Sequence, residues 1–105
     1  MGQGEAKFSV GQVICHNRFG YRGVIVDVDA TFAGSEDWYE QVARSRPPKD
    51  RPWYHVLPHM ASHTTYVAER HLEDDLSDEP IEHPLLTHFF DVFRQGRYQT
   101  ERVVH

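Results

Sequence analysis

The chain predicts a mostly β fold with one inserted α-helix and one C-terminal α-helix. Three observations carry this expectation. β-Branched and aromatic residues concentrate in two segments broken by turn residues, a short amphipathic stretch lies between them, and an apolar stripe at helical spacing follows an acidic run. With 105 residues there is room for one domain and one modest core. Hydrophobic residues make up 39% of the chain against 26% charged, enough apolar surface to offset chain entropy.

Residues 1–6 are expected to form a flexible leader and residues 7–72 the body of the domain. Within it, FSVGQVICHNRFGYRGVIVDVDA reads as two strands joined by a tight turn. Gly20 supplies the turn's backbone freedom. Val24, Val26 and Val28 alternate with Ile25, Asp27 and Asp29 at the period of a half-buried strand. Gly23 inside that strand marks a bulge or a close backbone approach.

Ser35 opens SEDWYEQVARSRPP, predicted helical over residues 35–46. Glu36 and Asp37 in its first turn and Arg44 and Arg46 in its last complement the helix dipole, and Trp38, Tyr39, Val42 and Ala43 share a face. Pro47 and Pro48 stop it. A proline-stiffened basic loop then delivers the chain to Trp53.

The segment WYHVLPHMASHTTYVAE places His55, His59 and His63 four residues apart, the spacing of a metal-binding helix. Pro58 lies between the first two, where a helix would lose a hydrogen bond at a cost of about 3 kcal/mol. The flanking residues are β-formers, so the segment reads as strand, turn, strand, with His59 at the tip and no metal site expected. Residues 73–83 read as a solvated acidic connector. A helix is predicted over residues 84–96, with Pro84 at its start, Leu86, Phe89, Phe90 and Phe93 as its stripe, and Gly96 as its cap. Residues 97–105 read as a tail.

Several function classes are disfavoured. The net charge of −5 is unlike that of a dedicated nonspecific DNA binder, so any nucleic-acid contact has to be local. Cys15 and His16 are neighbours on a strand and point to opposite faces, which separates a thiol from its base. Asp27 and Asp29 share a face, but no third acidic ligand is spaced to join them. No phosphate loop or nucleotide fingerprint is present, and no catalytic residue or cofactor is expected. The N-terminus has no signal-peptide pattern, and the lone Cys15 fits a reducing compartment, so a cytoplasmic location is expected.

Two features suggest recognition. Arg44, Arg46, Lys49 and Arg51 cluster just before Trp53 and Tyr54; arginines grip phosphates or read guanine edges, and rings stack on bases or enclose a methyl group. Tyr21 is a further candidate ring for such a methyl. The stripe Leu86, Phe89, Phe90 and Phe93 is the candidate protein-binding surface, with core packing as its commoner fate.

The blocks KFSVGQVICH, FGYRGVIVDVD, PWYHV and HTTYVAE, in this order and spacing, resemble the heat shock protein HspQ family, also called the hemimethylated-DNA-binding or YccV-like domain. The resemblance covers roughly residues 7–95. It implies a small SH3-like β-barrel with an inserted helix in a bacterial stress and regulatory protein without catalysis. It also implies double-stranded, hemimethylated DNA as partner, or the ATP-dependent protease Lon, for which the protein would be a substrate or specificity factor. Apart from the resemblance, the apolar stripe of residues 84–96 has to be buried, either back on the barrel or against another subunit in a homo-oligomer. LPHMAS, residues 57–62, departs from the short acidic, Gly-containing turn that the resemblance implies. No residue role carries over from the family, so the site residues named above rest on this sequence alone.

Overall fold

The computed structural model describes residues 5–101. Residues 1–4 of the expected leader and 102–105 of the expected tail lie outside the described residues. Five strands form one antiparallel sheet: β1 (Val13–His16), β2 (Arg22–Asp29), β3 (Trp53–Pro58), β4 (Thr65–Ala68) and β5 (Leu72–Asp74), in the order β4-β3-β2-β1-β5. The two expected hairpins are present, with Val13 opposite Val24 in the first and Trp53 opposite Ala68 in the second. Gly20 closes the first turn at φ +79°, its N–H donating to the His16 carbonyl at 2.8 Å.

β4 and β5 are the two edges of the sheet, yet only a 3-10 turn, Glu69–His71, separates them in sequence. In a flat sheet those edges would lie about 19 Å apart. The chain from Ala68 to Leu72 spans at most about 14 Å. The sheet is therefore rolled until its edges approach. Among the described residues no ladder joins β4 to β5, so the pairing leaves the sheet open and does not make a closed barrel.

Rolling gives the sheet an inner and an outer face, and both are packed. Ile14, Ile25, Tyr54, Val56, Val67 and Leu72, drawn from all five strands, fill the inside. Burial of each aliphatic side chain contributes about 1.5–3 kcal/mol. Outside, Val13, Val24 and Leu57 are covered by Ile81, Phe90 and Tyr98 from the C-terminal segment. The alternation expected along β2 holds only as far as Ile25, because the register with β3 shifts between Ile25 and Asp27. That bulge puts Ile25 and Val28, three residues apart, into the same cluster. Gly23 serves close approach: a Cβ there would sit 2.6 Å from Val56 Cγ1.

α1 spans Glu36–Val42, capped by the Ser35 hydroxyl accepting from the Trp38 N–H at 3.1 Å. It ends four residues before the expected boundary. Ala43 leaves helical geometry, and the Tyr39 hydroxyl donates to the Pro47 carbonyl at 2.6 Å, drawing the following loop back over the helix. Arg44 and Arg46 thus lie beyond the last turn and do not complement the dipole as the sequence suggested.

The C-terminal region departs furthest from expectation. α2 is one turn, Leu86–Phe89, and the rest of residues 84–96 is not helical. Phe90 is extended, and β6 (Val92–Arg94) and β7 (Arg97–Gln99) form a hairpin. Its two-residue turn is Gln95-Gly96, both at positive φ, +54° and +74°, the backbone of a type I′ turn. Gly96 therefore turns a hairpin instead of capping a helix. Residues 73–83 are likewise more than a solvated connector. Asp75 accepts from Arg22 at 2.8 Å with its side chain 8% exposed, and Ile81 and His83 are buried. Among the described residues no helix is long and apolar enough to cross a membrane.

Candidate functional site

Between α1, the β1–β2 turn and β4 lies a cleft of about 700 Å³. Its walls are aromatic on both sides. On one, Trp38 of α1 and Tyr66 of β4 meet at 64° with centroids 5.7 Å apart, forming a corner of two ring faces. Tyr66 is locked there: its hydroxyl donates to Asp29 Oδ2 at 2.7 Å and accepts from the Ala33 N–H at 2.9 Å. Burial, followed by the bond to Asp29, pushes that phenol up to about 12.

The facing wall is the β1–β2 turn, organised by His16. Its Nδ1 accepts from the N–H groups of Arg18 and Phe19, both at 3.1 Å, and its ring stacks between Phe19 and His71. Burial, then the neighbouring His71 and Arg18, lowers its pKa to about 4, so the ring is neutral at pH 7. A neutral Nδ1 is what two N–H donors require. The turn thereby holds Arg18 and the 73%-exposed Phe19 on the rim.

Charge distinguishes this cleft from the remainder of the protein. Among the described residues its lining contains Arg18 and Arg44, three histidines and no carboxylate, on a chain whose net charge is −5. Among the described residues neither arginine has a carboxylate within ion-pair distance. Arg18 lies over the Phe19 ring at 5.9 Å.

The cluster proposed from the sequence is dispersed. Arg44 and Tyr21 do line the cleft, Tyr21 sharing a hydrogen bond with Thr65 Oγ1 at 2.9 Å. Arg46 pairs with Glu40 and Lys49 with Glu36, and all four side chains are well exposed. Arg51 is exposed outside the cleft. Trp53 is 1% exposed at the cleft floor and donates to the Pro48 carbonyl at 3.0 Å. Tyr54 is wholly buried, its hydroxyl donating to Glu69 Oε2 at 2.6 Å. These two are core residues and present no ring face to a ligand. In the apolar stripe, Phe90 is 7% exposed, and Leu86 and Phe93 pack against the same cluster. Phe89 stays 39% exposed.

Arg18, Phe19 and Tyr66 were not expected from the sequence, and of the four apolar residues expected on one face of the helix Val42 departs, while Trp38 is half-buried against the Tyr39–Ala43 cluster. Tyr39 and Ala43 take the core side of α1, while Val42 stands 57% exposed on the cleft wall. The signal available was HNRFGYRG, a turn dense in arginine and rings.

The three histidines of the second hairpin have separate tasks. His55 Nε2 meets Asp29 Oδ2 at 3.0 Å, and His59 Nδ1 accepts from the Glu82 N–H at 2.9 Å. The His63 carbonyl accepts from His83 Nε2 at 2.8 Å. Together the last two bonds fasten the 59–63 loop to residues 82–83. Register also supplies Asp27 and Asp29 with the third donor that the sequence did not show. Asp27 pairs with His55, and the three side chains offer ligand atoms within 4.8 Å of one another. Asp29 already accepts from Tyr66 and His55, and these bonds, the Tyr66 one first, lower its pKa against the opposing effect of partial burial.

A rolled sheet with an inserted helix, a cleft walled by rings and a carboxylate-free basic rim is an arrangement suited to a polyanion carrying flat groups. The family model of the YccV-like hemimethylated-DNA-binding protein matches residues 6–97. The four sequence blocks and the sheet they build are thus accounted for together, and the chain belongs to the YccV-like hemimethylated-DNA-binding family.

Proposed function

We propose that this protein binds double-stranded DNA with a preference for the hemimethylated form, through the aromatic cleft and its basic rim. The observation that supports this most is that, among the described residues, no carboxylate lines a cleft carrying Arg18 and Arg44 in a protein of net charge −5. Arg18 and Arg44 contact phosphates on either side of the cleft. Arg46 and Lys49 exchange Glu40 and Glu36 for phosphates at little cost, because exposed ion pairs contribute little. Arg51 extends the electrostatic footprint. Tyr21, Phe19 and Trp38 replace Trp53 and Tyr54 as the rings available to a base or a methyl group.

The role is regulatory and non-enzymatic, of the bacterial HspQ stress-protein type. Docking of the protease Lon on the stripe Leu86, Phe89, Phe90 and Phe93 ranks lower, since only Phe89 keeps a substantially free ring.

The test is an anisotropy titration with unmethylated, hemimethylated and fully methylated duplexes at physiological salt. The hemimethylated duplex binds several-fold tighter, about what 1 kcal/mol of methyl burial provides. Arg44→Ala weakens all three and lowers the salt slope by about 1. Equal affinities for the three duplexes, or an Arg18→Ala/Arg44→Ala double variant that binds as well as the parent, would refute the assignment.

A further inference from the structure

Resting on the DNA-binding reading, we infer that the cleft holds a single unstacked nucleobase together with its phosphate, taken out of the duplex by the protein. Shape carries the argument. A base edge or methyl in the major groove is read by a convex element, a helix or a β-ribbon, that enters a groove about 12 Å wide. The basic, aromatic site here is concave. Its volume of about 700 Å³ falls in the range of sites that enclose one small molecule, roughly 300–1,000 Å³. A stacked base pair cannot enter such a site, whereas an extruded nucleotide can.

The walls match that occupant. The Trp38–Tyr66 corner offers one ring face for stacking and a second at 64° for edge contact. Across the cleft Phe19 and Tyr21 supply further apolar surface. Base–aromatic stacking is worth about 1–3 kcal/mol per base, comparable to the few kcal/mol that extrusion costs. The phosphate of an extruded nucleotide stays at the mouth of the site, where Arg18 and Arg44 have no carboxylate partner among the described residues. Rigidity is built in. Tyr66 is held by Asp29 and Ala33, and the Arg18–Phe19 rim is held by His16, so little ordering is left to do on binding.

An unstacked base is also available from single-stranded DNA, and the same experiment distinguishes the sources. Affinity is measured for a hemimethylated duplex, for the same duplex with an abasic site opposite the methylated base, and for the methylated strand alone. The parent protein is compared with Val42→Trp, which fills the cleft from an exposed position. Val42→Glu, which puts a carboxylate into it, is the second variant in case the first perturbs folding; thermal melts verify both.

Extrusion predicts that removing the partner base tightens binding about tenfold or more, because the unpairing cost is gone. Both variants abolish that gain. If paired and abasic duplexes bind alike and the Val42 variants change neither, extrusion is wrong while duplex binding stands. If only the single strand binds, and the variants abolish it, the base site is retained and removal from a duplex is rejected. If no DNA binds, the DNA reading and this inference fall together.

Discussion

The two ends of the rolled sheet meet their surroundings in opposite ways. At the outer face of β1–β3 the chain covers its own apolar surface: Ile81, Phe90 and Tyr98 lie on Val13, Val24 and Leu57, and the Tyr98 hydroxyl accepts from the buried Ile81 N–H at 2.7 Å. At the α1 end an equally aromatic wall, Trp38, Tyr66, Phe19 and Tyr21, is left as an open cleft. Aromatic content therefore does not separate core from site in this protein. What separates them is whether the following segment returns to cover the rings, and whether the rim is charged.

The largest expected effect breaks the covered end. Phe90→Ala removes a buried ring that contacts Tyr98 at 5.4 Å between centroids, and it should lower unfolding free energy by about 3–5 kcal/mol in a urea titration. Phe19→Ala at the open end, 73% exposed, should change stability by about 0.5 kcal/mol or less. Similar losses for the two would show that the cleft wall is as structural as the covered face.

The next test sharpens the open end through pH. His16 has its folded pKa lowered to about 4 from an ordinary value of 6.5, so below pH 6.5 the unfolded chain binds a proton that the folded chain refuses. Its contribution is present in full above 6.5, shrinks as pH falls from 6.5 through 4, and levels off below. The loss approaches about 3 kcal/mol, at about 1.4 kcal/mol per pH unit. His71, also lowered by burial and nearby arginines, adds in the same direction. Protonation sets an N–H at Nδ1 against the Arg18 and Phe19 donors, so acid loosens the rim of the cleft. His16→Asn retains an acceptor and does not titrate. Its urea midpoint should fall less than the parent's between pH 7 and 4; an identical fall would assign the acid loss elsewhere.

The contrast between the ends also explains what the sequence disclosed. Strands and hairpins were legible because β-branched residues alternate between turn residues, and Gly20 and Pro58 punctuate them where backbone chemistry demands. The covered end was not. Leu86, Phe89, Phe90 and Phe93 satisfy helical spacing, yet Phe90 and Phe93 serve an extended segment and a strand, because Gln95-Gly96 forms a two-residue I′ turn. A Gly after an apolar run fits a helix cap and a hairpin equally well, and pairing between β6 and β7 decides. At the open end, Arg44 and Tyr21 were legible as polar and aromatic residues beside turns. Arg18, Phe19 and Tyr66 were not, because their meeting depends on the roll that brings β4 toward the β1–β2 turn. Trp53 and Tyr54 were misplaced for a related reason: an aromatic pair after a basic loop looks presented, but in β3, at the middle of the rolled sheet, successive residues on both faces are buried.

The smallest effect on stability is expected from the rim charges, and for that reason they isolate binding from folding. Arg18 makes no ion pair among the described residues and its guanidinium lies 5.9 Å from the centre of the exposed Phe19 ring, so Arg18→Ala should leave the urea midpoint within about 0.5 kcal/mol of the parent. If Arg18 meets a phosphate, the logarithmic salt dependence of DNA affinity becomes shallower by about 1, the release of one counterion. Arg22 is the matched control. It has the same charge but is held by Asp75 and the Glu79 carbonyl, so Arg22→Ala should cost stability and leave the salt slope unchanged. A slope altered by Arg22→Ala and untouched by Arg18→Ala would place the DNA on the far side of the sheet, and the open cleft would then lose its claim to be the binding end.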